Sequence, residues 1–339
     1  PGKLERYRSV VEHLTIKPLI VRPDLAFDGD MYARAAQDTM ITTVEFKRML
    51  DQLYANNYIL IDQSRLLPKP GESFGLDLPA GKKPFVLVLE GLNYYVSRRE
   101  TGNCWDLVLD AENNVCGQYM AANGELVIDR QAEAIGILDQ FVADHPDFSY
   151  DGAKGLITLT GYEGIFGRVT DPDQLDDRNQ ALQGNGYAAL TLQAAEYEKN
   201  RQAVAAIIER LKQTGWQFGT STYAFIPVTS ASLESIEQDW AKWQAQVAPL
   251  TGPVQALHFP NGGLLSFSDP RSLFYQSQGI QIFGGLGAAP YINRAENLVY
   301  IDKVQISGYS IKNPGLYRLD RLFDAAAVRD RDVREQVKD

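Results

Sequence analysis

Acidic, amide and aromatic side chains stand directly after several apolar segments, which makes them candidates for a ligand site. They are Glu90, Asn93, Tyr94 and Tyr95 after residues 85–89, Tyr162 and Glu163 after 156–160, and Ser221 and Tyr223 after 216–220. Carboxylates can transfer protons, and aromatic rings can stack against a sugar ring. This set favours a groove that binds a sugar-like or peptide-like ligand. Packing alone is the other interpretation of the tyrosines.

Histidine and cysteine, two common zinc ligands, are scarce, with 3 His and 2 Cys in 339 residues. His13, His145 and His258 lie far apart in the sequence, so they form no His-x-x-x-His pair. We expect each to be structural or surface-exposed, His13 in a first helix and His258 inside a strand. The aspartates of residues 171–177 match no standard calcium loop, and we interpret them as a solvated turn.

The segments that carry these residues alternate between strand and helix patterns. Short apolar runs predict strands at 58–61, 85–89, 156–160, 216–220 and 254–259, and helical spacing predicts helices near 43–53, 131–144, 194–214 and 232–247. Thr42 and Glu45 form a capping box before the first of these helices. Such alternation predicts a parallel α/β sheet or barrel, in which ligand sites lie at the carboxyl ends of the strands.

We predict one elaborated domain over residues 1–339. Its core would span about 12–290, with a β-hairpin insertion at about 96–130 and an irregular C-terminal extension at about 291–339 that includes a strand-like segment. A hairpin turn near residues 112–114 would place Val108 opposite Cys116, which favours two free thiols over a Cys104–Cys116 disulfide, without excluding the disulfide. We interpret the glycine-rich residues 284–287 as a flexible turn.

Composition narrows the classes of partner. The chain carries 33 Lys+Arg against 43 Asp+Glu, a formal net charge of −10. Nucleic acids and anionic membranes favour basic surfaces, so neither is an expected partner. We also expect no membrane span, because no apolar run approaches the roughly 18 residues that a span needs. The sequence leaves the oligomeric state open.

Several segments resemble polysaccharide deacetylases of the NodB-homology type, in particular a secreted, extended branch from Gram-positive bacteria. The resemblance lies in residues 14–20, 42–46, 58–61, 83–89, 160–164, 216–218 and 322–324. It implies a distorted (β/α) barrel and a divalent metal, usually zinc, that serves to remove N- or O-acetyl groups from glycans. It also implies a secreted or cell-surface protein of a Gram-positive bacterium.

The positions that match the family's catalytic residues have changed. Glu90 and Gly91 match an aspartate pair, the base and a metal ligand. Ser221 and Phe225 match a pair of metal-binding histidines, and Lys17 matches a further histidine. A catalytic zinc site keeps three protein ligands and an open position, and these residues cannot supply them. Without the metal, Glu90 alone would give general-base assistance of only about 10²–10⁴-fold.

The first hypothesis is therefore a deacetylase-like protein that has lost its metal site and has no metal cofactor. It would act as a non-catalytic glycan- or cell-wall-binding protein or scaffold. The alternative is an active, carbohydrate-directed hydrolase with relocated, metal-free chemistry that uses Glu90 with a second carboxylate such as Glu163. A protein-binding surface module is a third reading, and it would expose a large apolar patch.

Overall fold

The computed structural model describes residues 3–68, 71 and 74–335. The strands are β1 (Leu4–Tyr7), β2 (Glu12–Ile16), β3 (Tyr58–Leu60), β4 (Leu76–Pro79), β5 (Lys83–Glu90), β6 (Asp106–Leu109), β7 (Val115–Met120), β8 (Leu126–Asp129), β9 (Gly155–Leu159), β10 (Trp216–Thr220), β11 (Ala256–His258), β12 (Ile282–Leu286), β13 (Tyr291–Ala295) and β14 (Leu298–Gln305). The α-helices are α1 (Pro23–Ala26), α2 (Ala33–Thr39), α3 (Thr43–Ala55), α4 (Ala134–Asp144), α5 (Pro172–Gly184), α6 (Ala194–Gln213), α7 (Leu233–Gln246), α8 (Ala248–Thr251), α9 (Pro270–Ser277), α10 (Gly308–Lys312), α11 (Pro314–Tyr317), α12 (Ala325–Val328) and α13 (Arg331–Arg334).

Seven parallel strands close into a barrel in the order β2, β5, β9, β10, β11, β12 and β14. β14 closes the ring because it pairs with β12 on one side and with β2 on the other, where Val304 lies opposite Leu14. β3 adds to β5, and β13 adds antiparallel to β14. The predicted (β/α) barrel is confirmed. Within the described residues, no helix combines the length and apolar character needed to cross a bilayer.

The pleat of the strands separates the two faces of the barrel wall. Phe85, Leu87 and Leu89 of β5 belong to the large outer core, together with apolar residues of α3, α4 and α6. Val86 and Val88 belong to a separate apolar cluster with Leu156, Ala256, Ile282, Val299 and Ile301 from the other barrel strands. Because side chains alternate along a strand, this second cluster marks the barrel interior. Glu90, which continues the register of Val86 and Val88, therefore also points inward.

The C-terminal residues pack onto the start of α3. Thr42 and Glu45 form the predicted capping box, in which each side chain accepts a hydrogen bond from the other's backbone N–H. The buried Glu45 carboxylate also accepts hydrogen bonds from Arg334 Nε at 2.6 Å and Nη2 at 2.7 Å. A buried charge pair is stable only when its remaining atoms are also bonded. Arg334 meets this condition by donating to the Met40 carbonyl at 2.8 Å.

Four expectations about the chain's course need correction. Residues 172–177 begin helix α5, with Asp171 as its N-cap, and are no solvated turn. β14 lies in the segment predicted as an irregular extension, so the barrel continues to Gln305 and the extension begins after it. His13 lies in β2, not in a helix. Residues 284–286 complete β12 and are no flexible turn. Glycine is required there by close packing, since a Cβ on Gly284 would lie 2.6 Å from His258 Cδ2.

The insertion contains a three-stranded antiparallel sheet, β6-β7-β8, and not a simple hairpin. Val108 lies opposite Cys116 in this sheet, as the turn position predicted. Cys104 and Cys116 are free thiols, and both are buried. Cys104 packs under β7, where a Cβ on Gly117 would lie 2.5 Å from its Sγ.

Candidate functional site

The carboxyl end of the barrel holds a buried ion pair between two strands. Glu90 is the last residue of β5, and its carboxylate contacts the Lys303 ammonium of β14. The Lys303 side chain is fully buried, whereas that of Glu90 is 21% exposed. Glu90 therefore lies between the buried Lys303 ammonium and the solvent at the rim of the barrel.

Two further cations, Lys17 and Arg98, lie in the segments that directly follow β2 and β5. Lys17 directly follows β2, and the β2–β5 register, with Ile16 opposite Leu89, places it level with Glu90. Burial lowers the pKa of the Lys17 ammonium, and Arg98 lowers it further, whereas Glu90 raises it. Arg98 ends a short 3₁₀ helix, Val96–Arg98, in the segment after β5. Burial likewise lowers the pKa of the Arg98 guanidinium.

Unpartnered hydroxyl groups line the interior beneath this rim. Thr158 lies opposite Glu90 in the β5–β9 register, and Thr15 of β2 and Ser221 after β10 are also buried. In the described part of the chain, none of their side-chain oxygens has a hydrogen-bond partner. Buried polar groups are normally bonded to protein or to ordered water. These hydroxyls therefore have hydrogen-bonding capacity for water or a ligand.

Two histidines lie deeper in the barrel and are neutral. Burial is the main cause that lowers the pKa of His13 to about 3 and that of His258 well below its usual value. Lys303 adds to both effects. His258 Nε2 lies 3.2 Å from Gln63 Nε2, in a 3₁₀ helix that follows β3. Since Gln63 donates here, His258 Nε2 is the acceptor.

The side chains of four predicted site residues form hydrogen bonds to other protein groups. Buried Asn93 donates to the carbonyl oxygens of Thr160 and Gly164 at 2.7 and 2.6 Å. The buried hydroxyl of Tyr94 donates to Glu133 at 3.0 Å, and that of Tyr223 donates to Gln246. The fourth is Glu163, whose carboxylate accepts from Val96 N at 2.9 Å and lies 3.5 Å from Arg178. These contacts hold the loops that follow β5, β9 and β10.

The other aromatic side chains face the rim. Tyr95 and Tyr162 are half-buried, and their ring centroids lie 6.0 Å apart. The Tyr95 hydroxyl is 3.0 Å from Thr160 Oγ1, beside the position of Ser221. Phe225 is 41% exposed, so its ring does not fill the interior next to Glu90. The rim thus combines open aromatic surface with the charged groups around Glu90.

The loops at this end adopt left-handed backbone conformations at non-glycine residues. These residues lie in the loops that follow β5, β9, β10 and β11. They are Tyr94 (φ 54°), Glu163 (φ 58°), Thr222 (φ 64°), Phe225 (φ 54°) and Asn261 (φ 57°). The conformation is costly for a β-branched residue such as Thr222. Its Oγ1 accepts from Ile226 N at 2.9 Å, which helps to hold the turn. Backbone strain of this kind concentrates at functional sites.

Sequence reasoning did not find Lys303 or Arg98. The one available signal for Lys303 was a lysine within the strand-like segment, in phase with the apolar residues Val299 and Ile301. Because the sequence predicts an irregular extension over this segment, it predicts no inward-facing position for Lys303. Arg98 ends a 3₁₀ helix of three residues, which is too short for a periodic pattern to mark it.

The residues at the positions that the resemblance assigns to metal ligands do not fit a divalent cation. Gly91 and Phe225 offer no donor atom, and Ser221 offers a neutral hydroxyl, a poor zinc ligand. The remaining carboxylate, Glu90, already contacts the Lys303 ammonium and has Lys17 beside it. A metal ion at this place would be repelled by both ammonium groups. In the part of the chain that the structure describes, no three His, Cys, Asp or Glu side chains are grouped to hold a metal.

Comparison with known proteins gives structural similarity only. No protein-family model matches the sequence, and no curated protein matches it either. A Streptococcus pyogenes deacetylase in complex with acetate is similar over 88% of this chain and 93% of its own, with 12% identity and a TM-score of 0.45. A polysaccharide deacetylase from Bacillus cereus is similar over 96% of this chain and 70% of its own, with 11% identity and a TM-score of 0.47.

Proposed function

We propose that this protein is a deacetylase-like barrel that binds glycan at the carboxyl rim of its strands and does not carry out metal-dependent deacetylation. The ion pair between Glu90 and Lys303 carries the proposal. A buried lysine ammonium contacts the carboxylate that the resemblance matches to the family's catalytic base. The same resemblance supports a secreted or cell-surface location in a Gram-positive bacterium.

The loss of the metal would remove the main source of catalysis. A bound zinc ion lowers the pKa of water from 15.7 to about 7 and stabilises the negative charge that develops on the acyl oxygen. An ammonium group that is already paired with Glu90 cannot generate that nucleophile. The Glu90 carboxylate also contacts the Lys303 ammonium, and Glu163, the second carboxylate considered, is paired with Arg178.

The aromatic side chains at the rim support glycan binding. Tyr95, Tyr162 and Phe225 lie on three successive loops and present partly open rings. Sugar rings pack against aromatic faces, and neighbouring hydroxyl groups give the contact its specificity. The left-handed turns at Thr222 and Phe225 fix the third of these loops.

A metal-free hydrolase that uses Glu90 with Glu163 is not favoured. The Glu163 carboxylate is buried, accepts a backbone hydrogen bond and pairs with Arg178, which is itself buried. A second carboxylate in glycoside hydrolysis must reach the substrate or a water molecule next to it. Glu163 instead stabilises the loop in which it lies.

The test combines metal binding, activity and glycan binding. Calorimetric titration of the full chain with zinc is expected to show no tight, stoichiometric binding, and N-acetylated glucosamine oligomers are expected to release no acetate above background. Sedimentation with insoluble chitin and peptidoglycan is expected to retain the protein. Substituting Tyr162→Ala is expected to weaken retention roughly three- to tenfold, the usual contribution of one aromatic contact.

Tyr150→Ala provides the matched control, because Tyr150 is also half-buried but lies before β9, at the opposite end of the barrel. Its retention should equal that of the unmodified protein. Tight zinc binding that disappears in Glu90→Gln, together with zinc-dependent acetate release, would overturn the non-catalytic part of the proposal. Absence of retention on every glycan would overturn the binding part.

A further inference from the structure

Lys17 and Arg98 are half-buried cations without an ion-pair partner among the described residues. Among the residues that the structure describes, Arg98 Nη1 has one hydrogen-bond contact, with the weak acceptor Met40 Sδ at 4.0 Å. Neither side chain lies within 4.0 Å of a carboxylate oxygen in the described structure. Partly desolvated charges are costly unless they are compensated. The two residues therefore form a place where an anion would be stabilised.

The charge balance around Glu90 is positive. Lys303 and Glu90 neutralise each other, so the charges of Lys17 and Arg98 remain. Asn103 joins the segments that carry the two cations, because its backbone N–H donates to the Arg98 carbonyl at 3.3 Å and its side chain donates to the Pro18 carbonyl at 3.0 Å. In line with this arrangement, Arg98 lowers the pKa of Lys17 by charge repulsion. An anion that lies between them would remove this repulsion and gain two favourable contacts.

Hydrogen-bond donors lie next to these cations. The Tyr95 hydroxyl contacts Thr160, and the Tyr95 carbonyl oxygen accepts a hydrogen bond from Arg98 N at 2.9 Å. Ser221 follows β10 beside Thr160, and its buried hydroxyl has no partner in the described chain. A hydroxyl of this kind can donate to an anionic oxygen, whereas a metal ion would have required its lone pair.

We propose that the rim binds an acidic sugar, in which a single carboxylate lies between Lys17 and Arg98 while the sugar ring packs against Tyr95 and Tyr162. This inference rests on the proposed glycan-binding function and specifies its ligand class. Where the resembled family holds a metal cation, this barrel holds the anionic group of its ligand.

A single carboxylate fits better than a polyanionic chain. The protein has a formal net charge of −10, which repels long polyanions over distances of the order of a Debye length, about 8–10 Å in physiological salt. The two uncompensated cations make a small local positive patch within this field. A single carboxylate in contact with Lys17 and Arg98 can overcome the long-range repulsion by the acidic protein. The further anionic groups of a polyanionic chain would instead lie against acidic protein surface.

The experiment compares two sugars that differ by one acidic group. N-acetylmuramic acid carries a carboxylate on a lactyl ether, and N-acetylglucosamine has the same ring and acetamido group without it. Calorimetry or ligand-observed NMR with the full chain should show at least about tenfold tighter binding of the acidic sugar, as expected for charge-assisted contacts. N-acetylglucosamine 6-phosphate tests whether a phosphate replaces the carboxylate.

Lys17→Met removes the charge and keeps the length of the side chain. It should reduce the affinity for N-acetylmuramic acid about tenfold and leave that for N-acetylglucosamine unchanged, and Lys17→Arg should restore most of the loss. Lys199→Met, on the exposed surface of α6, is the matched control and should bind like the unmodified protein. Circular dichroism spectra confirm that each variant is folded.

The outcomes separate the two proposals. If both neutral and acidic sugars bind equally and Lys17→Met changes neither, the anionic ligand is wrong but glycan binding stands. If the phosphorylated sugar binds more tightly than N-acetylmuramic acid, the carboxylate assignment is wrong. If no sugar binds and no insoluble glycan retains the protein, the proposed function itself fails.

Discussion

Glu90 and Lys303 lie 213 residues apart in the sequence and form an ion pair inside the carboxyl end of the barrel. The pair exists because β14 inserts between β12 and β2, which turns Lys303 toward the interior. The lysine is fully buried and the glutamate is partly open to solvent. This asymmetry determines what each single substitution should do.

Glu90→Gln should destabilise the protein more than Lys303→Met. The first substitution leaves a fully buried ammonium without its counter-charge, for which about 3 kcal/mol is a reasonable cost. The second substitution leaves a carboxylate that water can still reach, so we expect the free energy of unfolding to fall by only about 1 kcal/mol. Urea denaturation of both variants and of the double variant measures the difference. The double variant should be more stable than Glu90→Gln, and a less stable double variant would contradict the pair.

Glu133 should make stability fall as the pH rises. Its buried carboxyl accepts hydrogen bonds from Ala134 N at 2.8 Å and Leu19 N at 3.3 Å, and burial raises its pKa from 4.5 to about 7. The folded state therefore binds more protons than the unfolded state between these two pH values. It follows that the free energy of unfolding decreases from about pH 4.5 to 7, by roughly 3 kcal/mol from this group.

Glu133→Gln removes the charge and keeps an acceptor oxygen for the two backbone groups. The variant should gain stability relative to the unmodified protein at pH 8 and much less at pH 5, measured by urea denaturation at both values. Glu209→Gln, on the exposed face of α6, is the matched control and should show no such pH-dependent gain. An equal effect of Glu133→Gln at both pH values would contradict the raised pKa.

Gly285→Ala should destabilise the barrel strongly. A Cβ at this position would clash with the Tyr300 hydroxyl and lie 2.7 Å from the Gly263 carbonyl oxygen. The expected loss is about 1–3 kcal/mol, typical of forced overpacking. Gly184→Ala is the control, since a Cβ there meets no atom within 4 Å and lies at the end of a helix. That variant should be neutral or slightly more stable by thermal denaturation.

Cys104 and Cys116 should react with thiol reagents only after unfolding. Both thiols are buried and free, and burial raises the pKa of Cys104 well above its usual value and that of Cys116 to about 11. The thiolate is the reactive form, so native protein at pH 8 should be labelled very slowly. Mass spectrometry after denaturation should find two labelled cysteines per chain. A mass two hydrogens lower, with no labelling, would show a disulfide instead.

Local residue patterns were sufficient to predict the long helices α3, α4, α6 and α7 and the strands β3, β5, β9, β10 and β11. The capping box of Thr42 and Glu45 and the apolar run in β5 are encoded within a few residues, and the structure contains both. The position of β14 was missed because its neighbours in the barrel are β12 and β2, and the latter is distant in sequence. Strand order depends on such long-range packing, which local periodicity does not report.

The candidate site likewise depends partly on local sequence and partly on long-range packing. The sequence by itself determined which side chains stand at the strand ends, and that Gly91 and Phe225 offer no side-chain donor atom and Ser221 only a neutral hydroxyl. Only the tertiary structure decided that Glu163 and Tyr94 would hold loops together, and that Lys303 would meet Glu90. The physical reason is that donor chemistry belongs to a single residue, whereas burial and charge pairing arise only when distant segments pack together.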